Sequence, residues 1–376
     1  MADQTDHENP FEVEIFDKTF RRIGWLNDPV SIECVPRHNQ VGTATIVVPG
    51  DHRRLSSLLE EGSRVTIDYR GERTLTGVVN NPNGAFGPNG EFTLPIMGDQ
   101  WLLQRMLGWP APGAAINAQG AKEDKRTGPA ETVLKGFVSA NASHMVDPIT
   151  VAPDLGRGSP ITVACRMKQL AEVLLTPIDQ AGIGYTVLQV GDRLVVDVYV
   201  PRIHQQKLSL PARTVLTADW SRTDPTLNVA IAGGNLTGTS REFGRIPDAA
   251  LQSRFGYTIE SFVDAGSTES STARDAEGTK ALADGGPKSG LKLTLAESEA
   301  FLYGGPNGVH VGDRVTVELE GGDAITDLLR EAPLSYSRED GPNVSPTLGD
   351  HTDDPDAALY ARFADINSRL SAQETR

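Results

Sequence analysis

Apolar and polar residues alternate along most of the first hundred positions. Phe11, Val13 and Ile15 are separated by Glu12 and Glu14, and Val30, Ile32 and Cys34 by Ser31 and Glu33. A period of two puts one face of a strand in a core and the other in water. Thr43–Pro49 is a β-branched run stopped by a proline. Arg64–Tyr69 and Leu75–Val79 form a hairpin about Arg70-Gly71-Glu72, and Glu91–Met97 is a further strand. Between the strands, Asp51 is placed to cap a short helix carrying Leu55, Leu58 and Leu59. A second short helix is expected around Trp101, Leu102, Leu103 and Leu107. Six short strands with so little helix predict a small barrel or sandwich over residues 1–108.

The period then changes. Trp109–Pro129 is rich in Pro, Gly and Ala and reads as a functional surface loop or a domain junction, with a disordered insertion as the alternative. Glu131–Ala142 has helical spacing, with Val133, Leu134, Phe137 and Val138 on one face. Met167–Ile178 is a second helix, with Met167, Leu170, Ala171, Leu174, Leu175 and Ile178 inward and Pro177 kinking or ending it. Tyr185–Val190 and Leu194–Val200 flank a Gly191-Asp192 turn as a β-hairpin. Residues 109–208 are therefore an α+β module.

Strand patterns return over 209–350, at Leu227–Ala232, Leu291–Leu295, Arg314–Leu319 and Ala332–Tyr336. Ser267–Asp284 suggests an exposed polar helix, and Asp340–Asp354 a polar linker. A weak repeat ties the two β regions together. Gly62-Ser-Arg-Val-Thr-Ile-Asp68 returns as Gly312-Asp-Arg-Val-Thr-Val-Glu318, identical at four of seven positions. Strand composition is restricted enough to produce such matches alone. Here, though, both copies lie in β-rich regions that flank the α+β module. The fold expected is mostly β, with two similar β-barrel domains around an α+β insert and a C-terminal helix. Two copies at so long a period do not make a solenoid.

That last helix starts at Asp354-Pro355, a capping aspartate followed by proline at the first helical position. Leu359, Phe363, Ile366 and Leu370 then recur at spacings of four, three and four, the seam of a short coiled coil. An amphipathic helix packed on its own domain shows similar spacing. Two heptads cannot hold chains together alone, but they can add to chains already held by globular domains. Residues 351–376 are thus expected to form a linker and an oligomerisation helix.

Composition narrows the chemistry. The formal net charge of −15 leaves no basic surface for nucleic acid. The first ten residues have neither the basic nor the apolar stretch of a signal peptide, and no apolar run reaches the length of a membrane span. Two cysteines, Cys34 and Cys165, do not make a disulfide framework and are expected as buried thiols. Seven scattered histidines show no metal-ligand spacing. His144 with Asp147, and His351 with Asp353 and Asp354, come nearest to a cluster. No nucleophile elbow, phosphate-binding loop, dinucleotide fingerprint or zinc motif is present. No catalytic residue, metal or cofactor is expected. Trp101, Trp109 and Trp220 read as core or interface residues.

Three stretches together resemble the minor tail or baseplate-hub proteins of siphophages. They are Val13–Gly24 with Gly42–Pro49 and the Gly62–Val79 hairpin; Leu170–Gly184 with the Tyr185–Val200 hairpin; and Leu293-Thr294 onward, through Phe301-Leu-Tyr-Gly304 and Val311–Val315 to Pro346-Thr-Leu-Gly349. The resemblance spans most of residues 11–350. It implies a homotrimeric hub at the distal end of the virion tail, with no enzymatic role. The implied partners are the distal tail or tail-tube protein, the tape measure protein and other minor tail or host-binding proteins. A receptor- or glycan-binding tip protein is the alternative, and a cell-wall hydrolase a third.

Overall fold

The computed structural model describes residues 8–349 except 88, 205–206, 212–214, 235–237, 267–270, 296–301, 306–307 and 320–323. Its contacts divide the chain into two units. One holds the chain up to Ala218 together with Lys292–Leu348; the other is built from Asp219–Leu291. The helix seam Leu359, Phe363, Ile366 and Leu370 lies outside the described residues.

In the first unit the alternation of the opening residues is realised directly. β1 (Phe11–Phe16), β2 (Arg22–Trp25), β3 (Ser31–Val35), β4 (Thr43–Pro49), β5 (Arg64–Tyr69), β6 (Glu72–Val79), the two-residue β7 (Asn83–Gly84) and β8 (Glu91–Gly98) form one antiparallel sheet. Phe11, Val13 and Ile15 of β1 are buried, as are Ala44, Ile46 and Val48 of β4. Removing these side chains from water is the main stabilising contribution. Asp51 does not cap the helix expected after it. The chain passes through consecutive tight turns at His52 and Leu55, and α1 (Leu55–Leu58) begins after Arg54 with no side-chain cap. Leu55 and Leu58 are nevertheless buried, so packing and not capping holds this turn of helix.

The α+β module follows. It contains α2 (Leu102–Arg105), β9 (Leu107–Gly108), β10 (Asp124–Pro129), α3 (Ala130–Asn141), β11 (Ile149–Val151), β12 (Pro160–Cys165), β13 (Lys168–Gln169), α4 (Leu170–Gln180), β14 (Gly184–Val190) and β15 (Arg193–Tyr199). One core gathers Leu103, Leu134, Phe137, Leu174, Ile178 and Val196. Three expectations change here. The last six residues of the Trp109–Pro129 stretch are strand β10, paired along its length with β12. Met167 is neither helical nor inward. It is exposed, with φ +52°, and α4 starts three residues later. Of the two roles expected for Pro177, kinking or ending the helix, it does not end α4, which runs on to Gln180. Cys34 and Cys165 are both buried free thiols, and burial pushes Cys34 up to about 12.

After the module come β16 (Leu208–Ser209) and β17 (Val215–Thr223), and then the second unit. There β18 (Val229–Gly233) is flanked by antiparallel β19 (Phe243–Pro247) and parallel β20 (Glu260–Asp264). α5 (Ala249–Phe255) starts where the Asp248 side chain accepts from the Leu251 N–H at 2.9 Å and stops at Gly256 with φ +74°. α6 (Ser271–Asp284), expected as an exposed polar helix, instead lays one face on the sheet. Gly278 allows this approach, because a Cβ there would sit 2.7 Å from Ile246 Cδ1.

The chain returns along β21 (Lys288–Leu295), β22 (Arg314–Glu318), β23 (Ala324–Glu331), β24 (Leu334–Ser337), β25 (Gly341–Val344) and β26 (Thr347–Gly349). Strands β16, β22, β23, β26, β21 and β17 form a second sheet in that order. β24 and β25 do not join it. β24 pairs with β3, so the β24–β25 hairpin extends the first sheet. The stretch expected as a linker from Asp340 thus contains two strands, β25 and β26.

The repeat seen in the sequence is also a repeat of structure. Gly62 and Gly312 both lie in the left-handed region, at φ +78° and +94°. Ser63 N–H donates to Glu60 O at 3.0 Å, and Asp313 N–H to His310 O at 2.9 Å. The paired strand then returns to the same place in each copy: Val79 N–H donates to Ser63 O and Leu329 N–H to Asp313 O. Each copy is a glycine turn leading into an antiparallel hairpin, β5–β6 in one and β22–β23 in the other.

Candidate functional site

The described residues hold no group of His, Cys, Asp and Glu side chains arranged to take a metal ion. Among them, no helix is long and apolar enough to cross a membrane. What the first unit does contain is a seam of polar groups. It joins the opening sheet, the α+β module and the returning β strands at three nodes.

The deepest node is Arg64 with Asp99, 3% and 5% exposed. Arg64 follows the Gly62 turn at the start of β5, and Asp99 follows β8. Arg64 Nη2 donates to both carboxylate oxygens at 2.7 and 2.6 Å, and Thr76 Oγ1 of β6 donates to the second at 2.5 Å. The module supplies Gln189 from β14. Its Oε1 accepts from Arg64 Nε at 3.0 Å, and its N–H donates to Thr76 Oγ1 at 2.8 Å. The guanidinium also lies 4.4 Å from the centre of the Phe20 ring. A buried charge is tolerated only when paired and hydrogen-bonded, and here every partner is in place.

The second node centres on Asp179 near the end of α4. His38 Nε2, Asn39 Nδ2 and Arg330 Nη1 approach one of its oxygens at 3.1, 2.9 and 2.8 Å. Burial pulls this carboxyl up, but hydrogen bonds from His38 and Arg330 outweigh it and hold it well below the usual carboxylate range. On the other side, His38 Nδ1 is 2.7 Å from the Tyr199 hydroxyl. Hydroxyl, imidazole and carboxylate therefore stand in line, the layout of a nucleophile relay. Their setting opposes that chemistry, since burial pushes the Tyr199 phenol well above its ordinary range. The line acts as a brace, pinning the 36–39 turn to α4, β15 and β23.

The third node is His310, just before the Gly312 turn. Its Nε2 is 2.9 Å from Glu72 at the start of β6, and its Nδ1 is 2.8 Å from Arg202 Nη2. Arg202 also donates to Asp313 at 3.1–3.3 Å. Burial raises Asp313, but hydrogen bonds from His310 and Arg202 prevail and bring it to about 2. A cleft of ≈ 730 Å³ opens beside this node, lined in part by Tyr185, Leu188, Tyr199 and Tyr303.

Sequence reading placed no functional residue in this seam. His38 has no carboxylate at ligand spacing in the sequence, and the fold brings its own from 141 residues away; His310 has Asp313 three residues on, but its second carboxylate, Glu72, comes from 238 residues away. The repeated Gly-x-Arg turn was the one available signal, since it contains Arg64 and Asp313. Trp109 is half-buried and stacks on His144 with ring centres 3.7 Å apart, whereas Trp101 and Trp220 are exposed.

The fold recurs in tail proteins of similar length. The 43 kDa tail protein of prophage MuSo2 from Shewanella oneidensis superposes with a TM-score of 0.57 at 12% identity, over 90% of this chain and 98% of its own. A tail protein from Neisseria meningitidis MC58 gives 0.55 at 13%, over 91% and 97%. The prophage tail protein gp18 from Listeria monocytogenes EGD-e gives 0.52 at 12%, over 95% and 99%. No curated protein sequence matches. At the level of sequence, residues 12–350 match one family model, and the chain belongs to the Siphovirus ReqiPepy6 Gp37-like protein family.

Proposed function

We propose that this protein is a structural subunit of a phage tail: a hub at the distal tip that closes the tail tube and anchors distal and host-binding proteins. The observation that carries this is the end-to-end correspondence of its fold with tail proteins of nearly equal length. A shared domain inside an unrelated enzyme would not extend over both whole chains. The polar seam supports a structural role, because its buried charged groups are spent on one another and hold three parts of the first unit together.

The repeated glycine turn supports two similar barrels in one chain, the second built around β22 and β23. Three such chains in a ring present six similar units, which suits a three-fold tip meeting a six-fold tube. In this arrangement Leu359, Phe363, Ile366 and Leu370 add a helical seam between copies. The partners are the tail-tube or distal tail protein, the tape measure protein and other minor tail or host-binding proteins.

Light scattering on the purified chain tests the assembly. The expected mass is three times the 40.3 kDa of one chain, weakening when residues 353–376 are deleted. A monomer in both forms refutes self-assembly through that seam. Antibody labelling of virions tests location: label on the capsid or along the tail shaft, and not at the distal end, refutes the hub.

A further inference from the structure

Glu72 and His310 lie 238 residues apart in sequence, yet one oxygen of Glu72 holds two groups of the later segment. Its Oε2 accepts from the Gly305 N–H at 2.6 Å and from His310 Nε2 at 2.9 Å. Behind them the Tyr303 ring packs edge-on to Tyr69 of β5, with centres 6.1 Å apart. The segment folds back on itself through Val309 N–H to Leu302 O and Gly304 N–H to Val309 O. It is a strap laid across the end of the β5–β6 hairpin, beside the cleft.

The proton inventory of the imidazole is set by its neighbours. Nε2 faces a carboxylate and so carries a hydrogen. Nδ1 faces the donating Nη2 of Arg202 and so offers a lone pair. This is the neutral ring, with both nitrogens satisfied. Asp313 Oδ2 waits 3.6 Å from Nδ1. A proton added at Nδ1 displaces the Arg202 bond and turns that nitrogen toward Asp313. Arg202 keeps its own bonds to Asp313 through Nε and Nη2. Glu72, Asp313 and Arg202 together carry one net negative charge, which an imidazolium cancels.

The other groups near the ring do not oppose this. Burial lowers His204 below the ordinary imidazole range, and burial lifts the Tyr199 and Tyr303 phenols well above their ordinary range. Arg73, on the same hairpin, is engaged by Asp68 and Glu14, and Arg70 lies over the Tyr69 ring.

We propose that His310 is a proton-operated latch fixing the strap of residues 302–305 and 308–313 to the β5–β6 hairpin, gripped by two carboxylates when protonated and held by neutral hydrogen bonds when not. Hydrogen bonding with Asp313, with that of Glu72, outweighs burial and raises His310 above the ordinary imidazole range, in accord with this geometry. The sign follows from linkage. The added grip is complete below the pKa of the released ring and is lost as the pH rises through that of the latched ring.

Hydrogen exchange of the full-length chain at pH 5.5 to 8.5 tests the latch, with rates corrected for intrinsic chemistry. Protection of the Gly305 and Val309 amides should fall with rising pH, by at most about tenfold per pH unit for one linked proton. In His310→Gln, which can still donate to Glu72 but cannot titrate here, the pH dependence should vanish. Wild-type protection that does not change with pH, or a slope that survives in His310→Gln, overturns the proposal. Should that variant fail to fold, imidazole NMR titration of the wild type decides. A His310 pKa above 6.5 is expected, and one at or below it overturns the latch.

Discussion

Replacing Asp99 with Asn removes one charge and almost no volume from the deepest node of the seam. The new carboxamide would keep an oxygen for one Arg64 hydrogen, but its nitrogen would face the other as donor against donor. The Arg64 guanidinium, 3% exposed, would be left without a counter-charge. At a charge separation of roughly 4 Å and an effective dielectric near 20, the lost attraction is about 4 kcal/mol. That agrees with the roughly 3–5 kcal/mol found when one partner of a buried pair is removed. Urea unfolding followed by tryptophan fluorescence measures the loss. Trp25, Trp101 and Trp109 lie in the first unit and Trp220 in the second, so a Trp220→Phe background reports the first unit alone. The companion is the double variant Arg64→Met with Asp99→Leu, which leaves no unpaired charge and should cost less than Asp99→Asn alone. A loss below about 1 kcal/mol for Asp99→Asn, or a double variant worse than the single, would refute the assignment of this pair as a mutually dependent node.

Two further outcomes follow from the same seam. Gly62→Ala and Gly312→Ala both place a Cβ in the left-handed region, costing about 1–2 kcal/mol each on backbone grounds. Gly312→Ala should cost clearly more, because its Cβ would lie 2.4 Å from the Tyr199 ring, whereas at Gly62 the nearest atom is Lys18 Cβ at 3.0 Å; equal urea midpoints for the two would contradict this. In acid, Asp179 and Asp313 have folded-state values below their unfolded ones, so their contribution is whole above pH about 4 and is lost as the pH falls, for Asp313 through about 2. Unfolding midpoints between pH 5 and 2.5 should fall less steeply in Asp313→Asn than in wild type, and parallel curves would remove Asp313 from the account.

Much of the fold was legible because its signal is periodic. β1, β3 and β4 alternate, α3 and α4 carry apolar stripes, and β14–β15 flank a two-residue turn, so local sequence and tertiary burial agree. The misses share a cause. β10 is Asp-Lys-Arg-Thr-Gly-Pro, with no apolar face at all, and exists because β12 pairs with it along its whole length. β23, Ala-Ile-Thr-Asp-Leu-Leu-Arg-Glu, has neither clean alternation nor a helical stripe and is fixed between β22 and β26. Met167 continues the apolar spacing of α4, but its backbone is committed to a bond with Gly108 O before the helix begins. Pairing supplied from a distant strand leaves no mark in a short window.

The seam was illegible for a different reason. Arg64, Asp99 and Gln189 are single residues on three elements, and nothing about each alone separates it from a solvated surface residue. Only the Gly62 and Gly312 turns repeat, and the repeat carries a difference that matters. Arg64 is buried against Asp99, while its counterpart Arg314 is exposed; the residue after glycine is Ser63 in one copy and the ion-paired Asp313 in the other. The same backbone turn has thus been given its charged node at different positions. In the first copy the arginine reaches Gln189 at one end of the β14–β15 hairpin; in the second the aspartate reaches Arg202, just beyond the other end of β15. One module is clamped between two versions of one motif. The buried Arg64–Asp99 pair adds little net stability over apolar packing, but leaving either charge without the other is costly, so it disfavours placements of the module that separate them. What the repeated turn supplies is therefore orientation: it fixes how the α+β module sits between two β hairpins.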